Sequence, residues 1–125
     1  MKKVIVTENA PKAIGPYSQA VEMNRALFIS GQIPLDPATG KLLEGGITEQ
    51  TDQVMKNIGA ILNKAGYSFN DVVKSTCLVS DMDNIGAMNA VYGKYYAENP
   101  PARAAYEVVK LPMGALIEIE TIAMK

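Results

Sequence analysis

A long helical pattern between residues 48 and 65 is the feature that most constrains the fold. Its apolar side chains recur at helical spacing and line one face, at Val54, Ile58, Ile61, Leu62 and Ala65. Thr48 is predicted as the N-cap, and Glu49 and Asp52 place negative charge in the first turn, where the helix dipole favours it. Gly66 is predicted to end the helix in a left-handed conformation. Other elements must cover the apolar face.

Shorter segments on both sides of this helix are typical of strands, with one further helix among them. Strands are predicted for residues 3–7, 18–23, 26–30, 72–80, 103–110 and 116–124, and a second helix for residues 84–96. Asp81 or Asp83 is its predicted cap, and Pro100 and Pro101 prevent it from continuing. Because a strand, a helix and a strand follow one another, a right-handed β-α-β crossover is expected.

The order of these elements predicts an α+β fold in a single domain that spans residues 1–125. Two helices are expected on one face of a mixed sheet of about six strands. A chain of 125 residues is the size of one ordinary domain and can bury a core without a disulfide or a metal. Two helices cover only one face of the sheet. The other face is either polar and wet or covered by another subunit, and the sequence leaves both open.

The composition argues against several classes of protein. There is no histidine, which removes the commonest general base and metal ligand, and with Cys77 as the only cysteine no metal site is expected. One cysteine cannot form an internal disulfide, which suits a reducing compartment. No apolar run has the length of a signal peptide or a membrane span, so a cytoplasmic location is expected. A net charge of −1 without a basic run argues against a nucleic-acid partner.

Arg103 and Glu118 are the first candidates for chemistry. Arg103 stands where the chain enters a strand, and its planar guanidinium can bind a carboxylate through two hydrogen bonds. A structural ion pair is the commoner role for such an arginine. Glu118 and Glu120 alternate with isoleucines and so share one face of a strand. That face is either simply wet, or it carries a carboxylate that holds a water molecule and moves protons.

The predicted topology separates these two candidates. If the last two strands form a hairpin about Pro112 and Met113, Arg103 lies near residue 122 or 123, roughly 13–17 Å along the strand from Glu118. The two side chains cannot then share a small ligand within one hairpin. A common pocket requires a second subunit or a different pairing of the strands.

Five other residues give weaker signals. Tyr17 lies in a turn before a strand, where a tyrosine is most often a packing residue with a wet hydroxyl. Ser30 and Gly31 end a strand, and the glycine there either exposes a backbone N–H to a ligand or makes a bend. Asn89 lies in the middle of a helix and can face solvent. Cys77 alternates with valines, which predicts a buried apolar role.

Several segments together resemble the Rid (reactive intermediate deaminase, or YjgF) family. In the N-terminal half they are residues 9–11 (NAP), 14–19 (IGPYSQ) and 30–34 (SGQIP), and in the C-terminal half 101–103 (PAR), 107–108 (EV), 111–112 (LP) and 117–120 (IEIE). The likeness runs from about Asn9 to Lys125 and keeps order and spacing. The resemblance implies a chorismate-mutase-like fold, a homotrimer with three clefts between subunits, and no cofactor.

The resemblance also implies an activity, the hydrolysis of 2-iminobutanoate, 2-iminopropanoate and related enamines to 2-oxo acids and ammonia. Such intermediates arise from pyridoxal-phosphate enzymes such as threonine dehydratase. Carried over onto this sequence, Arg103 would bind the carboxylate of a small substrate, and Glu118 would position the water and shuttle the proton. The residues implied to line the cleft are Tyr17, Ser30, Gly31 and Asn89.

One position departs from the family pattern. Many members have a cysteine two residues after the arginine, and here that position is Ala105, whose backbone can contact a ligand but which cannot carry thiol chemistry. Two other functions stay open beside the deaminase. One is a trimer that binds 2-oxo acids or amino acids without turnover. The other is a ribonuclease or translation inhibitor, against which the missing basic groove and the missing histidine argue.

Overall fold

The computed structural model describes the chain from Met1 to Lys125 and contains six strands and two α-helices. In chain order they are β1 (Lys3–Ile5), β2 (Ala20–Met23), β3 (Ala26–Gln32), α1 (Ile47–Ala65), β4 (Val72–Val79), α2 (Ile85–Tyr95), β5 (Ala102–Glu107) and β6 (Ile117–Met124). The strands form one sheet in the order β1-β2-β3-β6-β4-β5, and every neighbouring pair is antiparallel except β4 and β5. The predicted α+β domain, with a mixed sheet and two helices, is confirmed.

Helix α1 forms where the apolar period predicts it, but its start differs from the prediction. The side chains of Val54, Ile58 and Ile61 are fully buried, and Gly66 ends the helix with a φ of 83°. The prediction that Thr48 is the N-cap is wrong, because the N-cap is Gly46. The carboxylate of Glu49 accepts a hydrogen bond from the Gly46 N–H at 2.8 Å, so this side chain satisfies the helix end without a hydroxyl.

Helix α2 is preceded by a short turn that sequence periodicity does not resolve. Residues Met82–Asn84 form a 3₁₀ turn, and the Asp81 carboxylate accepts a hydrogen bond from the Asp83 N–H at 2.9 Å. Of the two predicted caps, Asp81 is therefore the one that acts, on the turn rather than on the helix itself. Neither helix has the length and apolar character that a membrane span needs.

The last two strands do not pair with each other as a hairpin, so the alternative of a different pairing holds. Strand β4 lies between β5 and β6, antiparallel to β6 and parallel to β5. Helix α2 is the reason, because it carries the chain back along the helix-covered face and returns β5 in the direction of β4. Strand β5 also ends at Glu107, before the predicted limit. Ser75 on β4 consequently pairs with Arg103 on one side and Thr121 on the other.

The two faces of the sheet have different surroundings. One face packs against both helices and forms the core, with Leu27, Cys77 and Ile119 among its fully buried side chains. The opposite face has no covering element in the chain. It carries large apolar side chains that are about half exposed, including Phe28 at 46% and Tyr106 at 51%. A wholly polar, wet face is therefore not what the structure has.

Candidate functional site

Arg103 lies on edge strand β5 beside helix α2. Its Nη1 donates a hydrogen bond to the Asn89 side-chain oxygen at 2.7 Å, and its guanidinium carbon lies 5.1 Å from the centre of the Tyr92 ring. The only salt bridge in the chain joins Lys56 to Asp52, so Arg103 has no carboxylate partner. The structural ion pair that is the commoner role for arginine is absent here. Its positive charge is exposed and available to an anion.

Ala105 follows on the same side of β5 and packs against the core. It pairs with Cys77 of β4, whose thiol is fully buried. Burial raises the pKa of the Cys77 thiol to about 11, and the nearby Arg103 lowers it by a smaller amount. Cys77 is therefore a protonated core residue, as its alternation with valines predicts, and no reactive thiol stands beside Arg103.

Glu118 lies on β6, on the face that the helices leave uncovered. Burial raises the pKa of this half-buried carboxyl group above its ordinary value, and the charge of Glu120 raises it further. The carboxylate has no hydrogen-bond partner in the chain. It rests against Gly31, where a Cβ atom would lie only 2.9 Å from the Glu118 carboxyl carbon and closer still to an oxygen. A side chain at position 31 would therefore displace the Glu118 carboxylate, because van der Waals contacts of carbon begin at about 3.5 Å.

Tyr17 and Ser30 border two adjoining depressions near this carboxylate. One, of about 270 Å³, is lined by Tyr17 and Gly31 with mostly apolar neighbours, among them Ile33 and Met113. The other, of about 690 Å³, is lined by Tyr17 and Ser30 and reaches Glu120. The Tyr17 side chain is 52% exposed. Ser30 is less free, because its hydroxyl donates a 2.6 Å hydrogen bond to the carbonyl of residue 18.

Gln19 is a site-supporting residue that the sequence did not single out. Its buried amide oxygen accepts a hydrogen bond from the Thr7 N–H, and its amide nitrogen donates to the carbonyls of Thr7, Ala10 and Pro11 at 3.0, 3.3 and 2.8 Å. These bonds hold the segment that walls the Tyr17 depression. A glutamine between a turn and a strand carries no distinctive pattern, so only its fourfold use of the amide, visible in the structure, reveals it.

The predicted site residues fall into two groups that one chain does not bring together. Arg103, Asn89 and Ala105 lie at the β5 edge on the helix side. The other group, on the uncovered side, consists of Tyr17, Ser30, Gly31 and Glu118. Arg103 aligns through Ser75 with Thr121, which is three residues from Glu118, and an odd spacing in a strand points to opposite faces. No three histidine, cysteine, aspartate or glutamate side chains converge as metal ligands would.

Comparisons with known proteins agree with this architecture. A family described as Endoribonuclease L-PSP matches residues 7–125. A RutC family protein of Pyrococcus horikoshii is 58% identical over 125 residues, with all of this chain and 99% of the relative covered. The mouse protein named 2-iminobutanoate/2-iminopropanoate deaminase is 51% identical, over all of this chain and 93% of its own length.

Solved structures give the same result. A conserved Rid family protein of unknown function from Yersinia pestis has a TM-score of 0.97 and 48% identity, with both chains fully covered. Escherichia coli TdcF, crystallised with bound serine, has a TM-score of 0.94 and 36% identity over 98% of each chain. The resemblance carried by the sequence motifs is thereby confirmed, and the chain belongs to the Rid (YjgF) family, also described as Endoribonuclease L-PSP.

Proposed function

We propose that this protein hydrolyses 2-iminobutanoate, 2-iminopropanoate and related enamines to 2-oxo acids and ammonia. The observation that carries the proposal is the guanidinium of Arg103, which is exposed, has no carboxylate partner in the chain and donates a hydrogen bond to Asn89. A guanidinium in this state binds a carboxylate through two parallel N–H donors, and every substrate of this class has a carboxylate next to the reacting carbon. The naming of the mouse relative at 51% identity supports the same chemistry.

Glu118 supplies the second requirement, a group that holds water and accepts a proton. Burial keeps its pKa above the ordinary range, which makes it a stronger base than a fully wet glutamate. In the proposed reaction, which starts from the protonated imine, a water oxygen adds to the carbon of the C=N bond while Glu118 takes one water proton. Glu118 then passes this proton to nitrogen. As the C–N bond breaks and ammonia leaves, the new hydroxyl group gives its proton to Glu118 and the carbonyl of the 2-oxo acid forms. No cofactor takes part in this sequence.

The two groups can act on one substrate only if a second subunit contributes. Arg103 and Glu118 project from opposite faces of the sheet within a chain. The uncovered face carries half-exposed Phe28 and Tyr106, a kind of surface that commonly marks an interface. We therefore propose a homotrimer with three clefts, each taking Arg103 from one subunit and Glu118 from the next. The buried free thiol of Cys77 suits a reducing cytoplasm.

A ligand with a carboxylate fits this cleft. The serine bound to the relative TdcF is a small amino acid, and its chemistry matches the anion that Arg103 would take. The alternative is a trimer that binds such acids without turnover. It shares the Arg103 contact, but in it Glu118 takes no proton from water. A ribonuclease finds no support in a chain with no histidine and a net charge of −1.

A coupled assay tests the proposal. Threonine dehydratase generates the imine, semicarbazide traps what remains, and the protein should suppress the trapped product as it speeds formation of 2-oxobutanoate. Arg103→Ala should abolish suppression. Arg25→Asn is the matched control, because it removes the only other guanidinium in the chain. Arg25 lies in a turn with a φ of 64°, a conformation that asparagine also adopts. No suppression by the unaltered protein, together with retained binding of 2-oxobutanoate, would leave the binding trimer as its function.

A further inference from the structure

The surroundings of Arg103 include a tyrosine that the site residues do not account for. Asn89 and Tyr92 stand three residues apart on α2 and so share one helix face, which is turned towards β5. Asn89 accepts a hydrogen bond from Nη1, and the guanidinium carbon lies over the Tyr92 ring, 5.1 Å from the ring centre. One donor of the guanidinium is thereby occupied, and its charge lies over the ring. The remaining N–H donors have no hydrogen-bond partner in the chain.

The Tyr92 ring packs against other aromatic side chains of the core. Its side chain is 94% buried, and it packs against Tyr96 with ring centres 4.8 Å apart, while Tyr96 meets Phe69 edge to face at 5.4 Å. Burial raises the pKa of the Tyr92 hydroxyl, so the ring is a neutral phenol and attracts Arg103 through its π face rather than as an anion. A neutral ring leaves the guanidinium charge uncancelled for a ligand.

The hydroxyl end of the ring enters a buried polar cluster. The Ser75 hydroxyl lies near those of Tyr92 and Tyr96 and partly offsets the effect of burial on their pKa, and Thr121 pairs with Ser75 across the sheet. None of these four hydroxyls has a direct hydrogen-bond partner in the protein, and each residue is at least nine-tenths buried. The cluster lies directly behind Arg103, since Ser75 is also its partner in register.

From this geometry we propose that Tyr92 is a positioning residue, an aromatic platform that holds the guanidinium of Arg103 in the orientation that receives a substrate carboxylate. The inference rests on the proposed function for its consequence but not for its geometry. A guanidinium on a four-bond side chain at an exposed edge would otherwise sample many rotamers, and each bound carboxylate would have to order it. A preset orientation removes that cost from binding.

The test separates the ring from the hydroxyl and from the fold. Tyr92→Phe keeps the aromatic face, and Tyr92→Leu removes it. Tyr95→Leu is the matched control, because it removes a ring from the same helix that contacts Phe69 and Asp52 but not Arg103. If Tyr92→Leu does not fold, Tyr92→Met replaces it, since methionine fills more of the volume without an aromatic face.

The first readout needs no substrate. The chain has only two arginines, so a side-chain Nε–H spectrum contains two signals, and Arg25 in the β2–β3 turn serves as internal reference. We expect Arg103 to be ordered in the unaltered protein, in Tyr92→Phe and in Tyr95→Leu, and mobile in Tyr92→Leu, with Arg25 unchanged throughout. An Arg103 signal that stays ordered in Tyr92→Leu, or that loosens equally in Tyr92→Phe, overturns the proposal.

The second readout is function. For Tyr92→Leu we expect the KM of the imine and the Kd of 2-oxobutanoate to rise about 2- to 30-fold, the range of cation–π contributions, with a smaller change in kcat. Tyr92→Phe should stay within about 2-fold of the unaltered protein. Loss of Arg103 order in Tyr92→Leu, in a protein that neither binds 2-oxobutanoate nor hydrolyses imines, would sink the proposed function and leave the platform standing. If Tyr92→Leu hydrolyses imines with an unchanged KM and an Arg103 that stays ordered, the platform is refuted and the proposed function stands.

Discussion

Mixing two inactive variants should restore a defined fraction of activity, because the proposed cleft takes one residue from each of two subunits. Within a chain, Arg103 and Glu118 lie on opposite sides of the sheet and on strands separated by β4. A subunit with Arg103→Ala still offers an intact Glu118, and a subunit with Glu118→Gln still offers an intact Arg103. Only a cleft between the two kinds, in the right order, is complete.

The magnitudes follow from the contacts. Arg103→Ala removes two charged hydrogen bonds of about 1.5–3 kcal/mol each, which lowers kcat/KM by roughly 10²- to 10⁴-fold. Glu118→Gln removes the proton acceptor and lowers it by a similar factor, about 10²- to 10⁴-fold. In rings assembled at random from equal amounts, about half the clefts receive an intact arginine and about half of those an intact glutamate. About a quarter of the clefts are then complete, so the mixture recovers about a quarter of full activity.

The assay is the coupled imine assay after subunits have been mixed in mild denaturant and refolded, with native mass spectrometry to verify mixed rings. A mixture of Arg103→Ala with the double variant Arg103→Ala/Glu118→Gln is the control, because no arrangement of these subunits contains an intact arginine. Verified mixed rings that stay as inactive as either parent would refute the shared cleft.

Two further predictions concern the Glu118 side of the site. Because burial raises the folded-state pKa of Glu118, its charged form destabilises the fold, so Glu118→Gln should raise the free energy of unfolding in urea at pH 7. The gain should vanish below the ordinary carboxyl pKa, where Glu118 is neutral in both states, and a gain at both pH values would contradict this cause. Gly31→Ala should displace the Glu118 carboxylate and lower kcat/KM by about 10²-fold. Gly86→Ala, where a Cβ meets nothing within 4 Å, is the control and should keep full activity. Equal activity of both variants would show that the contact between Gly31 and Glu118 does not affect catalysis.

Local structure could be predicted from the sequence where one segment determines it. The apolar period of α1 and the left-handed Gly66 depend only on neighbouring residues, and both are as predicted. The predicted helix start is wrong because two caps compete. A hydroxyl at Thr48 could cap a helix that starts after it, but Glu49 accepts a hydrogen bond from the Gly46 N–H, and the helix starts after Gly46. The pattern shows the apolar face, but it does not show which competing cap is used.

The sequence pattern does not predict which strands lie next to each other in the sheet. The last two strands looked like a hairpin because they are neighbours in the chain, but β4 lies between them. Periodicity assigns a side chain to a face and is silent about which strand lies next to which. Glu118 was correctly placed on one face with Glu120, yet its contact with Gly31 depends on the pairing of β3 with β6, which shifts register between Ile29 and Gln32.

The site residues show the same division. Arg103 could be singled out because its chemistry is distinctive in a chain with two arginines, whereas Tyr92 is one of six tyrosines and has no such distinction. Its spacing of three from Asn89 was the signal that could have marked it, since residues so spaced share a helix face. A buried aromatic residue has the same sequence signature whether it only fills the core or also carries a guanidinium.

The charges in the proposed cleft predict that a protonated imine binds more tightly than its 2-oxo acid product. Arg103 has no anion and Glu118 has no cation within the chain. A protonated 2-imino acid carries a carboxylate for the first and a positive C=N nitrogen for the second, so it complements both. The 2-oxo acid retains only the carboxylate and therefore loses the attraction at Glu118. In this proposed cleft, hydrolysis removes the contact that distinguishes substrate from product, and we expect this loss to favour product release.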